Sequence, residues 1–277
     1  MALGAGAAAC AGAGAYAVAV EPRWLKTYEC DIPVKGLPTA FDGYLVAQLS
    51  DLHVGGGVPE IQLREAVRRC VEADPDLVAL TGDFVQGHRV DESAAIVARV
   101  LADLRARDGV FAVLGNHDAG VYASHHRPDR TKLAAVRDAL TRAGARTLEN
   151  EAVEIARGED RIQVCGLGDL WTGAFEPERL PARRDGVPAM ALSHNPDTAP
   201  DLAARGVEVV LSGHTHGGQV SLPFVGPPRL PVRRRDLAAG LCRLGDTSVY
   251  VNRGVGWLRR IRFGVRPEVS LLRLRPV

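Results

Sequence analysis

Two histidines one residue apart, His214 and His216, sit between glycines in the stretch Leu211-Ser212-Gly213-His214-Thr215-His216-Gly217-Gly218-Gln219-Val220. Neutral imidazole is the commonest metal ligand in proteins, and flanking glycines let a backbone bend close to a ligand. Clusters of similar character precede it: Ser50-Asp51-Leu52-His53, Gly82-Asp83, Gly115-Asn116-His117-Asp118 and Ser193-His194-Asn195-Pro196. Asp51, His53, Asp83, Asn116, His117, His194, His214 and His216 together offer the oxygen and imidazole donors that suit divalent Mn, Fe, Zn, Co or Ni. Such a set is too large for one ion with an open position and about right for two ions sharing a carboxylate. Each residue alone has an ordinary explanation. Asp51, Asp83 and His194 could be turn residues, His53 a surface histidine, and Asn116 the occupant of a left-handed turn. Their occurrence together, in order, favours the metal reading.

The elements that must position these groups are legible as apolar runs. Tyr44–Leu49, Leu77–Leu80 and Val110–Leu114 read as buried strands, and each runs into one of the polar clusters. Helical periodicity follows them over Pro59–Ala73, about 92–107 and about 131–143, the first with Ile61, Ala66, Val67, Cys70 and Val71 inward. Strand, polar cluster and helix, three times over, predict βαβ units around a parallel core. Ligand sites in such sheets form beyond the carboxyl ends of the strands. The second half is richer in strands. Val153–Ile155 and Arg161–Gly166 read as a hairpin, and Ala189–Leu192 and Val207–Leu211 as strands joined by a short helix at about 198–205. Further strands are expected at Val220–Leu222, Val249–Val251 and Val269–Leu272, with an edge strand within Glu21–Pro38. The two halves are expected to form two sheets packed face to face.

The ordered blocks Asp-x-His, Gly-Asp, Gly-Asn-His-Asp, His and Gly-His-x-His, spread from about Tyr44 to Leu274, resemble the calcineurin-like metallophosphoesterases. Finer features look like a bacterial, membrane-associated phosphodiesterase branch of that superfamily. They are Phe41-Asp42-Gly43, Ser193-His194-Asn195-Pro196-Asp197, and the tail Tyr250–Gly256 with Arg262-Phe263 and Arg266-Pro267-Glu268. The resemblance implies an α/β fold, a four-layer α/β/β/α sandwich of two packed mixed β-sheets flanked by helices. It also implies that Asp51, His53 and His216 hold one metal and Asn116, His194 and His214 another, with Asp83 bridging. His117 would stabilise charge on the phosphoryl group and protonate the leaving oxygen. Asn252 and Arg253 would line the pocket.

The chemistry is consistent with this on independent grounds. An anionic phosphodiester resists an anionic nucleophile, and two cations about 3.5–4 Å apart can clamp its oxygens and make water reactive near neutral pH. The expected activity is hydrolysis of phosphodiesters or of lipid-linked phosphate compounds. The alternatives are pyrophosphate hydrolysis of a nucleotide-linked lipid precursor of the UDP-diacylglucosamine type and, from another class, a metal-bound scaffold without catalysis.

The remaining features bound the context. With 34 Lys and Arg against 33 Asp and Glu, the formal net charge of +1 gives no general pull toward nucleic acid, and no protein partner is implied. Five widely spaced cysteines without a C-x-x-C argue against a disulfide framework or zinc knuckle. Residues 2–20 are apolar and uncharged, about the length of a membrane span, but lack the basic start of a signal peptide. Residues 1–22 are therefore read as a membrane anchor or export segment, the alternative being a packed or disordered N-terminal helix, and 23–277 as the catalytic domain. Localisation is then the bacterial membrane or beyond it if that segment acts so, and otherwise cytoplasmic. Cys10 faintly resembles a lipidation site. Asp118 is expected to support His117 from behind, Asp197 to cap the following helix, and His88, His125 and His126 to be solvated. Arg233-Arg234-Arg235 and Arg259-Arg260-x-Arg262 are read as a solvated basic face, or else as contacts to lipid headgroups or a substrate phosphate.

Overall fold

The computed structural model describes residues 11–123 and 126–277. Cys10, His125 and the first part of the apolar N-terminal run lie outside the described residues.

Two six-stranded sheets form the frame. The first contains β1 (Lys26–Val34), β2 (Leu45–Leu49), β3 (Leu77–Thr81), β4 (Val110–Val113), β5 (Arg146–Thr147) and β12 (Glu268–Pro276), in the order β1-β12-β2-β3-β4-β5. The second contains β6 (Glu151–Arg157), β7 (Asp160–Gly166), β8 (Ala189–Leu192), β9 (Val209–Ser212), β10 (Gly240–Leu244) and β11 (Thr247–Val251), in the order β10-β11-β9-β8-β7-β6. β2, β3, β4 and β5 are parallel, and so are β7, β8, β9 and β11. Antiparallel pairs occur at β12 with β2, β10 with β11 and β6 with β7. Every residue of β2, β3, β4, β8 and β9 is buried. That explains their uninterrupted apolar character, because strands covered on both faces have no solvent side to alternate with.

The first sheet carries α1 (Glu60–Glu72), α2 (Val90–Leu101) and α3 (Arg130–Arg142) on its outer face, where Ala47, Leu49, Val78, Leu80 and Ala112 meet Leu63, Val67, Cys70, Val97, Val100, Val136 and Leu140. Between the sheets, Val46, Leu77, Ala79, Phe111 and Val113 pack on Val164, Met190, Leu192, Val209 and Leu211. On the far side Cys165, Ala191, Val210 and Val249 are covered by Leu202 of α4 (Ala199–Ala204) and by Leu237. The layering is the expected α/β/β/α.

Several local expectations differ. Ile61 is 77% exposed, because the buried stripe of α1 runs through Leu63, Ala66, Val67 and Cys70 at helical spacing, and Ile61 falls off it. The second helix stops at Leu101 instead of continuing to Arg107; Leu104 donates its N–H to the Leu101 carbonyl in a tight turn and buries its side chain. Val220–Leu222 makes only isolated bridges, to Phe263 and Gly226. β5 and β10 were not foreseen. β1 runs through Pro33, which is tolerated because β1 lies at the sheet edge. Asp197 does not cap the helix. The Asn195 side chain accepts the Asp197 N–H, while the Asp197 carboxylate accepts the N–H groups of Arg233 and Arg234. Among the described residues, no helix is long and apolar enough to cross a membrane.

Candidate metal centre and substrate cleft

The carboxyl ends of β2, β3, β4, β8 and β9 meet at one edge of the two sheets. Gln48 ties the sheets together there, donating from Nε2 to Thr81 Oγ1 at 3.0 Å and to the Ser212 carbonyl at 2.9 Å. Beyond these ends the backbone is forced into unusual turns. Asp51, His53, Asp83, His214 and His216 all have positive φ, between 48° and 69°. Left-handed backbone costs a non-glycine residue on the order of 1–3 kcal/mol. Five instances at one spot mark a place where side-chain direction outweighs local comfort.

Those turns bring donor atoms together in overlapping groups: Asp51, His53 and His216; His53, Asp83 and His117; and Asp83, His194 and His214. His53 Nε2 and His216 Nε2 lie 2.9 Å apart, and His216 Nε2 is 3.2 Å from Asp51 Oδ1. His194 Nε2 is 3.2 Å from both Asp83 Oδ2 and His214 Nδ1. Asp83 Oδ2 links the groups, since it is also 3.6 Å from His53 Nε2. Donors bound about 2.0–2.2 Å from a common ion at tetrahedral or right angles stand about 3–3.5 Å apart, so the spacing fits cation coordination. Asn116 adds a buried carbonyl oxygen, Oδ1, with no hydrogen-bond partner among the described residues. Its Nδ2 is committed to the Val121 carbonyl at 2.6 Å. His194 Nδ1 lies 2.7 Å from the Thr81 carbonyl, which fixes the proton there and leaves Nε2 as a lone-pair donor.

Electrostatics follow the same grouping. Burial pushes the carboxyls of Asp51 and Asp83 up, but the facing imidazoles, His216 and His53 for the first and His194 and His117 for the second, hold both well below the usual range. Burial pushes His214 down to about 3 and His216 well below its ordinary value, so their rings are neutral donors. His194 is pushed down by burial but drawn well above the usual value by Asp83 and Asp51. A positive charge is thus favoured between the two carboxylates.

His117 follows Asn116 on a short 3-10 turn, His117–Ala119. Its backbone N–H donates to Asp83 Oδ1 at 2.9 Å, and its ring stands edge-on to His53 and Tyr122. Burial pushes it down to about 4. Asp118 sits behind the centre rather than against the His117 ring. Its carboxylate accepts from the N–H groups of Asp83, Phe84, Val85 and Gly115 and holds the β3 and β4 loops in register.

A cleft of about 460 Å³ opens over these residues. Asp83, Asn116, His117, His214 and His216 line it together with Tyr122, Trp171, Arg229, Leu258 and Arg259. Trp171, edge-on to His214 at 4.7 Å, was missed by sequence reasoning, because a lone Trp in a loop carries no pattern. Asn252 and Arg253 do not line the cleft. The Asn252 side chain bonds Ser270 and the Gly254 N–H, and Arg253 pairs with Glu268 at 2.6 Å. Arg262 is neither solvated nor at the cleft surface. It is fully buried, donating to the carbonyls of Arg253, Gly254, Gly256 and Val265 and reaching to 3.4 Å of His216 Nδ1.

Two helix-flanked mixed sheets that deliver paired carboxylates and imidazoles to one edge, beneath an open cleft, define a metal-site hydrolase. Residues 44–218 match the calcineurin-like phosphoesterase family, and the chain belongs to that family of phosphoester hydrolases. It is 36% identical over 227 residues to phosphodiesterase YaeI of Escherichia coli (strain K12), spanning 82% of this chain and 80% of that protein. It is 32% identical over 278 residues to the uncharacterized metallophosphoesterase YkuE of Bacillus subtilis (strain 168), spanning 99% and 94%. It is 30% identical over 301 residues to the UDP-2,3-diacylglucosamine pyrophosphatase LpxG of Chlamydia muridarum (strain MoPn / Nigg), spanning 92% and 90%. Its buried His and Asp groups can hold the dimetal centre usual in this family.

Proposed function

We propose that this chain is a phosphodiesterase in which Asp51, His53 and His216 hold one divalent ion, Asn116, His194 and His214 a second, and Asp83 both. The observation that carries the reading is the position of Asp83 Oδ2, facing His53 Nε2 at 3.6 Å and His194 Nε2 at 3.2 Å. Two divalent cations there, of the Mn, Fe, Zn, Co or Ni type, would supply Lewis acidity toward phosphoryl oxygens and make water nucleophilic near neutral pH. The residues do the rest. Asn116 contributes an oxygen without adding negative charge against an anionic substrate. Arg229 and Arg259 on the cleft wall attract that anion. His117 faces the cleft, where a phosphoryl group would raise the pKa of the ring and so bring a proton to the leaving oxygen. Residues 23–277 act as the catalytic unit, and residues 2–20 associate it with the bacterial membrane.

A second reading, hydrolysis of a pyrophosphate link in a nucleotide-bound lipid, draws on the similarity to LpxG. The test is turnover of a soluble chromogenic phosphodiester and of a UDP-linked diacyl sugar, after chelation and reloading with each of the five metals. Metal-restored cleavage of the first supports the proposal. Cleavage of the second alone favours the alternative, and metal retention with no turnover of either leaves a scaffold.

A further inference from the structure

The loop that follows the His214–His216 turn ends in an apolar tip. Phe224 is fully exposed at 108%, Val225 is 72% exposed and Leu222 is 43% exposed. The tip is held in place, since Val225 and Gly226 both donate their N–H groups to the Leu222 carbonyl. Phe224 itself has φ +64°, an uncommon backbone for a bulky residue. An aromatic side chain fixed outward in water gains nothing by being there, and contiguous exposed apolar surface marks an interaction site.

The tip is continuous with the cleft. Pro227 and Arg229 pack on Gly218, two residues beyond His216; a Cβ at Gly218 would meet Pro227 Cβ at 2.5 Å. Leu258 and Ile261, each 38% exposed, lie on the same rim, where they line the cleft with Arg229 and Arg259. The base of the loop bonds the segment after Ile261, with Ser221 N–H donating to the Phe263 carbonyl at 2.7 Å. That segment in turn receives the N-terminal run. Arg262 N–H donates to the Ala17 carbonyl, Phe263 stands edge-on to Tyr16, and the Glu21 carboxylate accepts from Gly264 and Val265. The exposed Val18 and Val20 therefore belong to the same piece of surface.

Arginine dominates the charge on this piece. Residues 219–235 and 253–267 contain nine arginines (229, 233, 234, 235, 253, 259, 260, 262 and 266), with Asp236 and Glu268 directly beyond them, Arg234 pairing with Asp236, in a chain whose net charge is +1. Arg253, Arg262 and Arg266 are turned to Glu268, to backbone carbonyls and to Trp24. Arg229, Arg233, Arg259 and Arg260 remain exposed.

We propose that this rim docks on an anionic lipid bilayer, with Phe224 and Val225 inserted and the arginines against headgroups, so that phosphoester headgroups reach the cleft from the membrane plane. A protein partner would need acidic complements. Residues 16–20, uncharged and packed against the same rim, favour lipid instead. Docking stands on the surface alone, and only what enters the cleft rests on the phosphodiesterase reading.

The test is co-sedimentation of the full chain with phosphatidylglycerol vesicles and with phosphatidylcholine vesicles, at low and high salt. Binding to the anionic vesicles, weakened by salt, is expected. Phe224→Ser with Val225→Ser should lower it at least about tenfold, while turnover of a soluble chromogenic phosphodiester is unchanged, which also shows that the fold is intact. Arg233→Glu with Arg260→Glu should lower it further, on the scale of about fivefold per arginine. Phe224→Trp, which keeps the apolar tip, should gain blue-shifted emission over the parent protein when vesicles are added. Absence of binding by the parent protein, undiminished binding by the serine variant, or unshifted emission from the Phe224→Trp variant overturns the proposal. If the soluble diester is not cleaved by the parent protein, the catalytic reading fails, and the emission of the Phe224→Trp variant decides docking by itself.

Discussion

Replacing Arg262 by Met tests how the centre is held. The guanidinium is completely buried. Its Nη2 lies 2.9 Å from the Arg253 carbonyl, 3.1 Å from that of Gly254 and 2.5 Å from that of Gly256, and its Nη1 is 3.3 Å from that of Val265. Nη2 has two protons, so at most three of these four bonds form fully at once. Each buried carbonyl left without a donor costs about 1–3 kcal/mol, giving a gross loss of roughly 3–9 kcal/mol. Removing a buried cation offsets part of this. Burial pushes Arg262 only to about 10, so it is charged at neutral pH and that offset is real. A net loss of about 2–5 kcal/mol is expected, a large share of the about 5–15 kcal/mol that holds a typical domain together. The loop released is the one whose Val255 and Gly256 N–H groups donate to the carbonyls of Ser50 and Asp51. Metal affinity should therefore fall along with stability. Urea unfolding of chelated protein gives the first quantity, and metal content after dialysis against a graded chelator gives the second. Arg262→Lys, with a compact ammonium in place of the planar fork, should recover only part of either. If Arg262→Met unfolds within about 0.5 kcal/mol of the parent and keeps its metal, the guanidinium does not organise this loop and the reasoning fails.

His117→Gln should lower kcat by about 10²–10⁴ on a diester with a strongly basic alkoxide leaving group. The loss should be much smaller when the leaving group is a nitrophenolate that needs no proton; equal losses on both would mean that the ring only positions. Gly115→Ala should abolish metal retention, because its Cβ would fall 2.2 Å from Asp83 Oδ1 and 2.6 Å from the Asp83 backbone nitrogen. Equilibrium dialysis with Mn or Zn reads this directly, and normal retention would contradict it. Asp169 is buried, and desolvation pushes its carboxyl up to about 6 from 3.8. The folded state then holds a proton that the unfolded state releases. This contribution is fully present below about pH 4 and is lost as pH rises through 6, by up to about 3 kcal/mol. In chelated protein Asp169→Asn should be the more stable at pH 8 by a margin that shrinks toward pH 4, and thermal melts with a pH-independent difference would refute it.

The repeating strand–cluster–helix rhythm made the parallel cores readable, because strands buried on both faces leave continuous apolar runs such as Leu77–Leu80. The convergence of the candidate donors was readable too, since each lies at a strand end and the blocks kept their order. What did not show was anything decided across long sequence separation. β12 wedges between β1 and β2 by pairing residues more than two hundred positions apart. Arg262 looks like a surface residue in an arginine-rich run until the carbonyls of 253–256 close around it. Asn252 and Arg253, placed at the pocket by resemblance, turn inward to Ser270 and Glu268 because β12 brings those residues alongside. Ile61 shows the local limit, since an apolar residue at the head of a helix need not fall on its buried stripe.

The left-handed backbone at Asp51, His53, Asp83, His214 and His216 has a consequence for how the centre is filled. Those five angles sit at the converging strand ends and together turn carboxylates and imidazoles toward one edge. On the two-ion reading, any of several divalent cations would meet the same oxygen and imidazole donors. Which of them occupies the site would then depend on supply in the cell as much as on the preference of the protein.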